Sequence, residues 1–347
     1  MNQKAEKIYN IEHAENVVID MRGLLEAKAD KLNLAMERFP GLMDRTIAML
    51  LSNHPSDGLF NHSTDNRSSP VSLKNTQDDY RPGDIVMSHW EIDRCIGRGS
   101  IGSVYEAHHV GSQYKSAIKV VSSEIHFSPI DGWNDMTHTV LGSYTDKMEL
   151  DNMVELKGTG YIVDYEDHER IQFSDGSPGL IIRMELLQPI PKTMAKNDVI
   201  RLGIDICKAL EYCSMSGIIH GDVKPSNIYL TKWGGFKLGD FSAAVKIGDK
   251  RDRIGTLKYM APEVYCGKPF TSNIDTYSLG LVMYELMQKG KGDALSQRLS
   301  GVPLPPIPEV EKPLQSIILK ACAFYPEDRY SSPTEMLDEL RKLKIGR

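Results

Sequence analysis

Asp222, Lys224 and Asn227 stand together in a short turn that apolar residues enclose, Ile218 and Ile219 before it, Ile228 and Tyr229 after it. Buried flanks of this kind hold a loop still and let it present polar groups, which suits a catalytic platform. The aspartate can accept the proton of an attacking hydroxyl, the lysine can meet a moving phosphate, and the asparagine offers a neutral oxygen to a magnesium ion. Eighteen positions beyond Asp222, in Leu238-Gly239-Asp240-Phe241-Ser242, Asp240 supplies the carboxylate that such an ion prefers. Together these groups point to phosphoryl transfer, a reaction in which protein mostly positions atoms and neutralises charge.

The elements that must position them begin further back. Trp90 to Ile96 predicts a strand that runs into Gly97-Arg98-Gly99-Ser100-Ile101-Gly102-Ser103-Val104. Glycines so spaced let a backbone approach phosphates without side-chain collision, although dinucleotide folds share the spacing. The next strand decides between the two. Where a dinucleotide site would want an acid for the ribose, this chain has Ala117-Ile118-Lys119-Val120, apolar with one inward lysine. A buried ammonium without an anion is costly, so a carboxylate must reach it; Glu149, in the helical stretch from Asp146 to Leu156, is the expected partner and Glu155 the fallback.

With these motifs in this order, the chain resembles the bacterial eukaryotic-type serine/threonine protein kinases. His220-Gly221-Asp222 with Lys224 and Asn227 is similar to that family's catalytic loop and Asp240-Phe241-Ser242 to its metal-binding triplet. Gly255-Thr256-Leu257-Lys258-Tyr259-Met260-Ala261-Pro262-Glu263 resembles its substrate-facing loop, and the resemblance as a whole runs from Asp84 to Leu343. It implies an α+β, protein kinase-like bilobal fold, with a small β-rich N-lobe over residues 84–185 and a helical C-lobe over 188–347. It also implies ATP with Mg2+, or Mn2+ in its place, and a protein substrate carrying a serine or threonine acceptor. On the resemblance, the catalytic roles fall to Asp222, Lys224, Lys119, Glu149 and Thr256, and the metal to Asn227 and Asp240. Gly97, Gly99, Gly102, Val104, Ala117 and Lys119 would surround the nucleotide from above, with Tyr229 as an aromatic floor. Met184 would be the gatekeeper, and the backbone from Glu185 to Leu187 would read the adenine. Glu263 and Arg329 would form a buried structural pair, and Asp275 would hold the backbone of His220 to Asp222.

The chain departs from the family in several places. Gly221 replaces the arginine that, in many kinases, grips a phosphate on the activation segment, and residues 243–255 contain no Ser, Thr or Tyr. Reader and mark are both missing, so activity is expected not to depend on activation-segment phosphorylation. Ser242 replaces a glycine, which narrows the backbone angles open to the Asp240-Phe241 unit. The gap from Lys119 to Glu149 is longer than the family's, which predicts an extra loop from Ser122 to Ser143; between Met287 and Gln297 the chain is shorter. Two other readings compete: a nucleotide-binding pseudokinase scaffold and a small-molecule kinase. Retention of Lys119, Asp222, Lys224, Asn227 and Asp240 speaks against the first, and the loop from Thr256 to Glu263 against the second.

Composition narrows the class further. The 347 residues are 41% hydrophobic, enough for one large or two ordinary cores. A net charge of -6 argues against nucleic acid as the main partner. No apolar run approaches the roughly 20 residues of a membrane span, and without a basic start followed by a greasy core the chain is not expected to be secreted. Five scattered cysteines without a paired spacing suggest reduced, mostly buried thiols in a cytoplasmic protein. Residues 1–53 read as a short helical leader, with Met21, Leu24, Leu25, Leu32, Met36 and Phe39 at helical spacing, too small to fold alone and available for a partner or self-association. Residues 54–83 are Ser-, Asn- and Asp-rich and read as a flexible linker.

Overall fold

A computed structural model describes residues 80–99, 102–122, 124–126, 143–248, 255–265, 269–288 and 303–343. The predicted leader, most of the linker, the middle of the predicted extra loop and the charged stretch 249–254 lie outside the described residues.

Six strands form an antiparallel sheet in the order β1-β2-β3-β4-β8-β7, apolar at its centre and mostly polar along the β7 edge. Its strands are β1 (Ile85–Val86), β2 (Trp90–Arg98), β3 (Gly102–His109), β4 (Lys115–Ser122), β7 (Tyr165–Gln172) and β8 (Pro178–Glu185). β4 is buried almost from end to end, because apolar groups cover both faces of the sheet there. One face carries its own core of Trp90, Ile92, Tyr105, Ile118 and Ile181, closed by Tyr80, Val86 and Met87. Tyr80 meets Tyr105 edge-on with ring centroids 6.0 Å apart. On the other face Val121, Leu180 and Ile182 join Met153 of helix α1 (Asp146–Glu155), and Leu156 just past its end, in the large core that continues into the helical lobe.

Two register shifts between β2 and β3 increase the local twist just ahead of the glycine-rich turn. Gly99 N–H donates to the Gly102 carbonyl at 2.8 Å, closing that turn. Gly102 has a second reason to be glycine, since a Cβ there would lie 2.0 Å from the Val120 carbonyl oxygen. The close approach of β4 demands this glycine before any phosphate arrives. Gly102→Ala is therefore expected to destabilise the nucleotide-free chain by about 1–3 kcal/mol, the scale of overpacking. Thermal unfolding without ligand checks it; a change confined to nucleotide affinity would refute it.

The predicted extra loop leaves and returns through a two-stranded ladder, β5 (Glu124–His126) against β6 (Ser143–Thr145), directly ahead of α1. Below the sheet lie α2 (Lys196–Met215), α3 (Pro262–Tyr265), α4 (Asn273–Gln288), α5 (Lys312–Ala321) and α6 (Pro333–Arg341). The stripe Val199, Leu202, Ile206 and Leu210 of α2 is buried as its spacing requires. The sequence predicts Asn197 or Asp198 as its N-cap, and the start differs. Neither Asn197 nor Asp198 caps it: the helix begins at Lys196 after an extended Ala195, leaving Asp198 in the first turn, where its charge suits the helix dipole. Ser332-Pro333-Thr334-Glu335 reads as a capping box opening α6, and it is present in shifted form: Ser332 Oγ accepts from Glu335 N at 3.3 Å, while Glu335 accepts from Ser331 N at 2.8 Å. Helix α4 is buried nearly all round, so it forms the centre of its lobe. Short strands complete the junction: β9 (Gln188–Pro189) with β11 (Ile228–Leu230) and β12 (Phe236–Leu238), and β10 (Ile218–Ile219) with β13 (Val245–Lys246). Among the described residues no helix is long and apolar enough to cross a membrane. Of the described cysteines, Cys207, Cys213 and Cys322 are buried free thiols and Cys95 is an exposed one, in line with mostly buried thiols.

Candidate active site

Lys119, Glu149 and Asp240 meet where the sheet faces the helical lobe. From β4, Lys119 Nζ donates to Glu149 Oε1 at 2.5 Å and to Asp240 Oδ1 at 2.9 Å. Glu149 shares the inward face of α1 with Asn152 and Met153, the three-and-four spacing of a buried stripe that Leu156 continues just past the helix. The ladder β5–β6 explains why the long gap does not displace it: the added residues leave and return at one point. Glu155, the fallback, instead pairs with Lys246 at 3.1 Å on the surface. Burial pulls the Lys119 pKa down, but the charges of Asp240 and Glu149 outweigh it and hold the ammonium above its ordinary value. Burial pushes Asp240 up, and the Lys119 charge, with hydrogen bonds from Lys119 and Ser242, more than reverses this, so its carboxyl sits well below the usual range. Asp240 stays ionised and keeps 32% of its side chain open.

The catalytic-loop candidate is suspended from α4. Asp275 accepts from His220 N at 2.7 Å and Gly221 N at 2.8 Å. Burial raises the Asp275 pKa, with His220 and the two backbone donors opposing. His220 does more than its sequence position suggested. Its Nδ1 accepts from Asp222 N at 3.2 Å, so Nε2 carries the proton and donates to the Gly239 carbonyl at 3.0 Å, an assignment that follows from the network. The same ring meets Phe241 edge-on at 4.8 Å. One imidazole thus ties the loop of Asp222 to the turn that presents Asp240.

Asp222, Lys224, Asn227 and Thr256 form one closed cluster. Asp222 Oδ1 accepts from Thr256 N at 2.7 Å, and its Oδ2 lies 2.6 Å from Lys224 Nζ. Lys224 also donates to Thr256 Oγ1 at 2.8 Å, and the Asn227 amide donates to the Asp222 carbonyl at 2.9 Å. Gly255, at φ 105°, permits this contact, because a Cβ there would stand 2.2 Å from the Gly221 carbonyl oxygen. Asp240 itself has φ 62°, a left-handed conformation that costs a side-chain-bearing residue about 1–2 kcal/mol. The carboxylate oxygens of Asp240 and the amide oxygen of Asn227 are the hard oxygen donors that a magnesium ion accepts.

The residues expected around the adenine occupy adjoining strands. Ala117 pairs with Met184 across β4 and β8, and Val104 pairs with Lys119 across β3 and β4. Gly97 lies at the end of β2, half-buried Tyr229 on β11, and Leu187 just past β8, ahead of β9. Burial, with Asp240 nearby, raises the Tyr229 pKa, so its hydroxyl stays neutral. Sequence reasoning missed a further triad. Glu185 Oε1 accepts from Lys237 Nζ at 2.5 Å and from Asp164 N at 2.7 Å, and Lys237 reaches Asp164 Oδ2 at 2.8 Å. This ties the connector to β12, the strand that leads to Asp240; the only signal was a lysine inside the apolar stretch Phe236-Lys237-Leu238.

The segment after Asp240 is anchored at its start: β13 pairs with β10, Ile247 N donates to the Gly217 carbonyl at 2.8 Å, and Lys246 joins Glu155. At its far end Arg329 grips Glu263 through two bonds of 2.7 and 2.8 Å.

The model of the protein kinase domain family matches residues 90–339. The chain belongs to the protein kinase family. Among curated relatives it is similar to a probable serine/threonine-protein kinase PknB of Corynebacterium glutamicum, 27% identical, over 75% of this chain and 43% of that protein. It is 28% identical to the serine/threonine-protein kinase Pkn1 of Myxococcus xanthus, over 70% of this chain and 36% of that one. The PknB of Mycobacterium leprae is 27% identical, over 75% and 44%. The chain thus spans less than half the length of these relatives. A crystal structure of a kinase domain superposes with TM-score 0.57 at 20% identity, covering 76% of this chain and 98% of that one. The fold is the bilobal kinase fold, with a β-sheet N-lobe and a helical C-lobe.

Proposed function

We propose that this chain is an ATP-dependent serine/threonine protein kinase. The observation that carries the reading is the double engagement of Lys119, with Glu149 on one side and Asp240 on the other, a short chain of contacts away from Asp222. In this reading Asp222 orients the acceptor hydroxyl and takes its proton, and Lys224 faces the transferring phosphate. Thr256 fixes both. Asn227 and Asp240 would hold magnesium, whose charge, when bound, offsets that of the triphosphate. Lys119 would contact the triphosphate, held in place by Glu149, while Val104, Ala117, Met184, Glu185, Leu187 and Tyr229 enclose the base. A cytoplasmic setting and a partner or self-association for residues 1–53 belong to the same proposal. Radiolabelled ATP with generic acceptor proteins tests it on the full chain: label should enter serine or threonine, and Asp222→Ala should abolish it. Absence of label from the unmodified chain would overturn the reading.

Control by activation-segment phosphate is not part of it. Gly221 supplies no phosphate-gripping side chain, and a Cβ there would lie 2.9 Å from the Ala243 carbonyl oxygen. The β10–β13 ladder and the Lys246–Glu155 pair already hold the segment's start. Complete dephosphorylation by a phosphatase, verified by mass spectrometry, is expected to leave kcat within about twofold, since no charge-paired switch is removed. Loss of turnover on that treatment would count against it.

A further inference from the structure

Lys258 lies two residues beyond Thr256, on the one-turn helix Leu257–Tyr259 of the substrate-facing loop, and its side chain is 51% exposed. Its ammonium is 2.9 Å from Glu285 Oε1, and the Tyr259 hydroxyl donates to Glu285 Oε2 at 2.9 Å. Ser278 Oγ, also from α4, holds the Tyr259 carbonyl at 2.8 Å, so the loop is fixed to the helix that bears Glu285. Both oxygens of that carboxylate are thus taken by the protein's own donors. Lys258, for its part, has three N–H donors, of which Glu285 takes one, on a half-exposed side chain two residues along the loop from Thr256. Lys224, the neighbouring cation, is committed to Asp222 and Thr256.

We infer that Lys258 reads an anionic side chain close to the acceptor serine or threonine, an Asp, a Glu or an already phosphorylated residue, with Glu285 and Tyr259 as its positioning residues. The inference deepens the kinase reading and rests on it, since it names the class of protein substrate for the same site. Preference for acidic flanks arises from attraction to the ammonium, and rejection of basic flanks from its repulsion, so one side chain supplies both halves of the discrimination.

Serine peptides identical except for flanking glutamate, phosphoserine, alanine or lysine, placed in turn at three positions on either side, provide the test. Two readouts apply to the full chain, its Lys258→Glu and its Lys258→Met variants: kcat/KM for transfer, and fluorescence anisotropy with non-acceptor alanine versions of the peptides. Glutamate or phosphoserine peptides are expected to exceed lysine peptides by about tenfold or more, mainly through KM, the scale of a charge contact close to a site. Lys258→Glu should invert the order and Lys258→Met flatten it; comparing the two anionic arms separates carboxylate from phosphate. Preference for lysine peptides, or an order unchanged in both variants, overturns the inference. Binding that follows charge and inverts in Lys258→Glu without transfer to any peptide would uphold the anion site and sink the kinase reading alone. Transfer without charge preference would do the reverse.

Discussion

Asp240→Asn is expected to lower phosphate transfer to protein by at least about 10²–10³-fold, the scale of losing one charged contact in a preorganised site, while the fold survives. The physical reason lies in how its neighbours are paired. Asp240 is held ionised by Lys119, and its open surface is where a cation would need negative charge. Asparagine keeps the shape and removes the charge. Lys119 retains Glu149 at 2.5 Å, so no buried ion is left alone. Lys119→Met should cost a similar factor in rate but is less clean, because Glu149, 2% exposed, then loses its cation and stability falls as well. Kinetics and thermal unfolding on both variants separate the effects. Near-unchanged transfer by Asp240→Asn would remove the central electrostatic role assigned to that carboxylate.

What the sequence disclosed and what it withheld follow from how far each contact reaches. Asp222, Lys224 and Asn227 share one turn, so residue types at short spacing suffice to place them together, and the structure joins them. Lys119 stood out because a lysine in an apolar strand needs an anion; that need put Glu149 first and kept Glu155 as a fallback, and the structure pairs it with Glu149. The choice depended on where the added residues return to the chain, which the β5–β6 ladder sets. The same limit hid the tie among Asp164, Glu185 and Lys237, which no local motif connects. His220 looked like part of a turn, yet its ring joins two loops through opposite nitrogens. Gly102 was read for the phosphate it could approach, whereas the nearest atom that excludes a side chain belongs to β4. Local pattern carried the elements; long-range side-chain pairing and the close approach of backbones came only with the fold.

Arg329→Met is expected to destabilise the folded chain by about 3–5 kcal/mol, the range for breaking a buried ion pair from one side. The guanidinium has more to lose than one carboxylate. It donates to both oxygens of Glu263, to the Ala323 carbonyl at 2.7 Å and to the Phe324 carbonyl at 2.8 Å, and it lies over the Tyr277 ring at 4.4 Å. Methionine leaves Glu263, 3% exposed, as a buried charge without a partner and strips two carbonyls of their donor. At about 2–4 °C per kcal/mol for a domain of this size, the melting temperature should fall by roughly 6–20 °C. Replacing both partners distinguishes charge from packing. Arg329→Met with Glu263→Leu removes the stranded charge and should recover part of the loss, since an apolar substitute for a buried pair is often close to neutral. The recovered double variant is also the informative one for function, because Glu263 ends the loop that carries Thr256 and Lys258. If the pair anchors that loop, the double variant should melt above the single variant yet transfer phosphate more slowly than the original chain at 25 °C. A single variant that melts within about 2 °C of the original, well under the loss expected for a broken buried pair, would show that the pair carries no anchoring load.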